Sequence, residues 1–241
     1  MTSEREEEAL FGLPYVPPDE TVAYGPHPSQ VVDFYGPPGA ATRITLLHGG
    51  FWREAYDRRH LAPLAAALAG EGLRVALAEY RRVGGGGGWP ATFDDAARAV
   101  GTGGTGRAPA RHVVAGHSAG GHLALWLASG PTAAQLDGVV ALAPVADLAR
   151  ARALRLSDGA VAGLVGPADE AQADPMRLPP PAVPVTLLHG DDDREVPVAF
   201  SAAYAAYAPA VAFRPLAGTG HYAPVTPGTP AYGALLAAIG G

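Results

Sequence analysis

Five residues constrain this chain more than any others: Gly116-His117-Ser118-Ala119-Gly120. They follow a short β-branched run, Val113–Ala115, and open a helical pattern over Ala119–Ser129. A strand that turns straight into a helix at Ser118 predicts a strained, exposed serine. Gly116 and Gly120 then leave the room that so tight a turn needs. A chain with this junction is constrained to strands that alternate with helices.

The rest of the sequence carries that alternation. Strands are expected at Val31–Tyr35, Arg43–His48, Leu73–Ala78, Leu136–Ala143, Val183–Leu188 and Val211–Leu216. Helices are expected at Leu61–Ala69, Thr92–Val100, Ala199–Tyr207 and Ala231–Ile239, with Thr92 and Asp95 spaced as a capping box. The pattern predicts an α/β fold: a mainly parallel, doubly wound sheet with helices on both faces. Residues 1–28, rich in Pro and acids, read as a surface arm, and 29–241 as one domain. Leu148–Val165 is weakly helical, so 148–180 is expected as a short lid. The run Gly84–Gly88 reads as a mobile loop that could gate the site.

A serine hydroxyl needs a base to act as a nucleophile, and the base needs an orienting carboxylate. Such groups sit just past strand ends. After the Val183–Leu188 strand comes His189-Gly190-Asp191-Asp192-Asp193-Arg194-Glu195-Val196-Pro197. After the Val211–Leu216 strand comes Ala217-Gly218-Thr219-Gly220-His221-Tyr222. The expected constellation is Ser118 as nucleophile, His221 as base and, as the acid, Asp193, which the resemblance of this segment to a known His-Gly-x-x-Asp-x-x-Val-Pro pattern implies, with Asp192 as the alternative. Backbone N–H donors for an oxyanion are expected from Ala119 and from Gly50 or Phe51, with Gly49 nearby. Trp52, Trp89 and Tyr222 are expected to line a substrate pocket. The other histidines take plain readings: His27, His60 and His112 as surface, His48 and His189 as loop braces. His117 points away from its neighbour Ser118, and His122 packs.

These segments resemble a family. His48-Gly49-Gly50-Phe51-Trp52 looks like the His-Gly-Gly-x-Trp motif of kynurenine formamidases within the α/β-hydrolase superfamily. The elbow from Gly116 to Ala124 and the terminal Gly220-His221-Tyr222 are similar to theirs, and His189 to Pro197 resembles the superfamily segment that places its acid at Asp193. The resemblance implies a cofactor-free serine hydrolase cleaving N-formyl-kynurenine to kynurenine and formate. Hormone-sensitive-lipase-like esterases share several of these elements, so a carboxylesterase on small acyl esters is the alternative. A non-catalytic binding protein of the same fold is a third reading.

Composition narrows the partners. The 241 residues carry a net charge of −6 with no basic run, which argues against nucleic acid. Cysteine is absent, which removes disulfide and thiolate chemistry. The Asp191–Asp193 run lacks companion ligands at metal-binding spacing, so no metal and no cofactor are expected. The N-terminus is acidic, without the apolar core of a signal peptide, and no segment is apolar for the length of a membrane span. A soluble cytoplasmic protein acting on a small molecule, as monomer or homodimer, is the expectation.

Overall fold

An eight-stranded sheet organises the molecule, in the order β1-β2-β4-β3-β5-β6-β7-β8. Its strands are β1 (Glu20–Ala23), β2 (Val31–Tyr35), β3 (Thr42–Leu47), β4 (Arg74–Ala78), β5 (Arg111–His117), β6 (Gly138–Leu142), β7 (Val185–Gly190) and β8 (Ala212–Leu216). The computed structural model describes residues 3–168 and 170–240. β1 and β2 pair antiparallel, and β2 runs antiparallel to β4. From β4 to β8 every pairing is parallel.

Alternation along the strands feeds two cores. On β3, Ile44 and Leu46 face one side while Leu47 faces the other. On β4, Val75 and Leu77 oppose Ala76 and Ala78. The side bearing Ile44 is covered by α1 (Ser3–Phe11), α2 (Ala62–Gly70) and α8 (Pro230–Gly240), through Leu10, Leu64 and Leu235. The opposite side takes α3 (Ala91–Gly101), α4 (Ala119–Ser129), α5 (Leu148–Ala153), α6 (Leu156–Val165) and α7 (Ala199–Tyr207). Small side chains such as Ala76 and Ala78 face that second core. Helices therefore lie on both faces of a mostly parallel sheet, as the sequence pattern requires.

Three expectations are corrected. Residues 1–28 are not a plain arm: they supply α1 and the edge strand β1, because Leu10 is buried in the core and Glu20–Ala23 pair with Val31–Phe34. Thr92 and Asp95 form no capping box, because α3 begins at Ala91 with Pro90 at its cap. The Thr92 hydroxyl instead donates to Arg81 O (2.6 Å), and Asp95 accepts from the Arg81 guanidinium (2.7 and 2.8 Å). The Gly84–Gly88 loop is tied down by N–H donors of Gly85 and Gly87 to Arg82 O, and by Gly88 N to Thr92 Oγ1. It does not line the cavity at Ser118.

The histidine four residues beyond Ser118 belongs to the core. His122 is fully buried against Trp52 and Phe93, and its Nε2–H donates to Ala173 O (2.9 Å). Burial pushes its pKa down to about 4. The unfolded chain takes up that proton near pH 6.5, so the stability from neutral His122 is whole above 6.5 and is lost as pH falls toward 4. That interval is worth about 3 kcal/mol. Urea unfolding of wild type and His122→Gln between pH 7.5 and 4.5 is expected to show a shallower pH slope in the variant. Parallel slopes would refute the assignment.

Candidate active site

Ser118 sits between β5 and α4 with φ 55° and ψ −116°, a conformation L-residues rarely hold. Its own N–H donates to Leu142 O (2.8 Å), and its carbonyl accepts from His122 N (3.0 Å). The two flanking glycines are required by space. A Cβ on Gly116 would fall 2.2 Å from Gly120 O, and one on Gly120 would fall 2.2 Å from Leu47 O. The strained serine therefore rests on close packing between α4 and the ends of β3 and β5.

Beside it runs the loop Gly49-Gly50-Phe51-Trp52, entered from β3. Gly50, Phe51 and Trp52 all have positive φ. Among the described residues, the N–H groups of Gly50, Phe51 and Ala119 have no intramolecular hydrogen-bond partner. Free donors at the start of α4 and in an adjacent loop are the arrangement an oxyanion needs. The loop is held from beneath. His48 Nε2 lies 2.8 Å from Glu79 Oε1, and His48 Nδ1 lies 2.7 Å from Gly49 O. Tyr80 stacks on the His48 ring at 4.3 Å and donates its hydroxyl to His48 O (2.7 Å). Burial opposes ionisation of Glu79, but the His48 ring and Arg82 outweigh it and hold its pKa at about 2.

His221 follows β8, and its Nδ1–H donates to Asp193 Oδ2 (2.6 Å). Asp193 is enclosed by further donors. Its Oδ1 accepts from Glu195 N and Val196 N (both 2.9 Å), and His189 Nε2 stands 3.2 Å from Oδ2. Burial raises the cost of its charge, yet the hydrogen bonds from His189 and His221 hold this carboxyl well below the ordinary range. Asp192 is exposed, and Asp191 accepts from Gly218 N (2.7 Å) across the turn. Of the three consecutive aspartates, Asp193 alone meets His221. The cause is local: its carboxylate turns inward to cap the backbone of residues 195 and 196.

A cavity of about 200 Å³ contains Ser118, His221, Gly50 and Phe51 in its walls. Tyr222 lines it, as expected. Trp52 and Trp89 do not: Trp52 is fully buried in the core, and Trp89 packs on Phe93 and Trp126. Other groups take their place. His60, expected on the surface, lines the cavity and stacks on Phe11 at 5.4 Å. Burial and the nearby His48 push its pKa down to about 4. His117 does not point away: its ring lies 4.6 Å from that of His221, and its Nε2–H donates to His221 O (2.9 Å). From the expected lid region 148–180, Ser157 reaches the wall. From α1 come Phe11 and Glu7, and beneath them Glu6, whose carboxylate accepts from Gly220 N (2.9 Å), Ala223 N (3.1 Å) and Tyr222 N (3.2 Å).

Solved structures give this geometry its setting. A truncated carbohydrate esterase from gut microbiota superimposes with a TM-score of 0.73 at 20% identity, covering 94% of this chain and 96% of that one. The propionate-bound esterase of the planctomycete Thermogutta terrifontis gives 0.71 at 21% identity, covering 91% of each chain. An esterase/lipase from an uncultured bacterium gives 0.74 at 19% identity, covering 97% of this chain and 87% of that one. The chain has the α/β-hydrolase fold. No protein-family model and no curated protein sequence matches it. Ser118 stands at the sharp turn from β5 into α4, and Asp193, past β7, and His221, past β8, follow it in the chain. Among the described residues, no helix is long and apolar enough to cross a membrane.

Proposed function

We propose that this chain is a serine carboxylesterase for small, uncharged or cationic esters with short acyl groups. Ser118 Oγ attacks the ester carbonyl, and His221 takes its proton and returns it to the leaving alkoxide. Asp193 orients the ring and stabilises the imidazolium. The N–H groups of Ala119, Gly50 and Phe51 receive the oxyanion. Water, deprotonated by His221, then cleaves the acyl-Ser118 ester and restores the serine.

The observation that carries this reading is the cavity itself. At about 200 Å³ it is smaller than most ligand sites, which suits a short acyl chain. Its charged lining is acidic, from Glu7 and Glu195, with no arginine in the wall among the described residues. N-formyl-kynurenine carries a carboxylate beside its α-ammonium group, and no arginine among the described wall residues is placed to pair with that carboxylate. The neighbours add support, since the Thermogutta terrifontis esterase binds propionate and butyrate. Aryl-formamide hydrolysis is the second reading, favoured by the aromatic walls at Phe11, Phe51, Tyr56 and Tyr222.

Initial rates on p-nitrophenyl acetate, butyrate and octanoate, beside N-formyl-kynurenine, separate the readings. The expected result is kcat/KM at least tenfold higher for acetate and butyrate than for octanoate, and higher for both than for the formamide. A larger kcat/KM on N-formyl-kynurenine would overturn the esterase reading in favour of the second. No turnover together with no fluorophosphonate labelling of Ser118 would leave a binding protein.

A further inference from the structure

A second cavity, of about 310 Å³, lies at the opposite end of the sheet from Ser118. It is built where β3, β4 and β5 begin. There Arg43 pairs in register with Arg74 on one side and with His112 on the other, a row of three basic residues on adjacent strands. Arg43 and Arg74 both open into the cavity, and both guanidinium groups sit over the Phe34 ring, at 5.5 and 4.9 Å. The glycine-rich loop that joins α3 to β5 forms the outer wall and brings a third arginine, Arg107.

The charges in this cavity do not balance. Arg74 pairs with Glu20 (2.9 Å), and the same carboxylate also accepts from Thr105 N and Oγ1. Arg43 is buried and has no carboxylate partner among the described residues. Its Nη2 makes only long contacts, to Val100 O (3.2 Å), Thr45 Oγ1 (3.4 Å) and Ala99 O (3.5 Å), and its Nε has no partner. Burial, with Arg74 beside it, pushes the Arg43 pKa down to about 10. A buried guanidinium left in this state is costly unless an anion compensates it. His112 is neutral at neutral pH, since burial and Arg43 push its pKa down to about 4, so it neither adds to the positive charge nor compensates it. The loop is shaped for close approach. The N–H groups of Gly103, Gly104 and Gly106 have no intramolecular partner among the described residues, and a Cβ on Gly104 would lie 3.0 Å from the Arg74 guanidinium, Glu20 and Phe34.

We infer that this cavity binds an oxyanion carried by a small organic molecule, with Arg43 as its principal ligand. Arg74 and Arg107 supply the remaining positive field, loop N–H groups supply neutral donors, and Phe34 with Pro38 and Pro109 gives the organic part an apolar wall. The ligand class is a phosphate monoester or a carboxylate on a flat or apolar body. The site is independent of ester hydrolysis, because it lies at the other end of the strands.

The full-length protein is titrated calorimetrically with inorganic phosphate, phenyl phosphate and benzoate in chloride at constant ionic strength. Thermal unfolding is followed with each. The expected result is saturable binding, tighter for an aryl anion than for phosphate, with Tm rising in step. Whichever aryl anion binds more tightly names the head group. Arg43→Met is expected to weaken binding at least tenfold, to unfold at the same or a higher temperature than wild type without ligand, and to keep ester hydrolysis within twofold. Gly104→Leu, which removes no arginine but fills the cavity and crowds Arg74, Glu20 and Phe34, is expected to weaken binding by a similar factor. No saturable binding of any of the three anions to wild type would overturn the inference. So would Arg43→Met and Gly104→Leu both binding within twofold of wild type, or Arg43→Met losing Tm in ligand-free buffer, which would make Arg43 a structural group.

Discussion

Ser118→Ala is expected to lower kcat on p-nitrophenyl acetate by about 10⁶-fold, and Asp193→Asn by about 10⁴-fold, each with KM little changed. The two losses have different causes. The first removes the proposed nucleophile. The second keeps the shape but replaces the carboxylate that fixes His221 Nδ1–H at 2.6 Å, so the ring loses its required tautomer. Asp192→Asn is the informative control, because Asp192 is exposed and away from His221; its rate is expected to stay within twofold. If Asp192→Asn cost as much as Asp193→Asn, the assignment of the acid would fail. The pH dependence follows from the same geometry. The Asp193 carboxyl is held well below its ordinary pKa, so its contribution is whole above the unfolded value near 3.8 and is lost only as pH falls further. An acid limb in kcat/KM above pH 5 must therefore come from another group.

Local features of the site were legible, and distant ones were not. The elbow could be read because its logic is contained in five residues: two glycines, a serine, a strand before and a helix after. His221 follows a strand by only a few residues, but so do all three of Asp191–Asp193, and only the resemblance of His189 to Pro197 to a known segment singles out Asp193. Trp52 and Trp89 were misplaced because a concave site and a core draw on the same aromatic residues, and only packing separates them. His117 is not legible from its neighbours, because adjacent side chains diverge at such a turn while this ring reaches the backbone of a residue 104 positions away. Thr92 and Asp95 have the spacing of a cap but fall inside a helix that starts one residue early, where Arg81 claims both. The largest omission was α1. A run of acids near the N-terminus reads as solvated charge, and nothing in its order tells that Glu6 is buried while Glu4, Glu7 and Glu8 stay exposed.

That buried carboxylate carries the second large effect. Glu6 accepts three N–H donors from the turn that carries His221, and His117 Nε2–H holds the same turn through His221 O. Glu6→Ala leaves three donors unpaired, and the two buried ones, Gly220 N and Ala223 N, each cost about 1–3 kcal/mol. The backbone must then move to find water, and His221 moves with it. Displacements near 1 Å at a catalytic group cost about 10² in rate, so kcat is expected to fall about 100-fold while KM changes little. Loss of α1 packing alone must be separated from this. Leu10→Ala removes a fully enclosed side chain from the same helix but leaves the Glu6 carboxylate in place. It is expected to cost about 2–5 kcal/mol of stability with kcat within threefold at a temperature where the variant stays folded. If the two variants lost kcat in proportion to their lost stability, Glu6 would be no more than part of the helix's packing. If Glu6→Ala alone lost turnover, a residue more than two hundred positions from His221 would be shown to set its place.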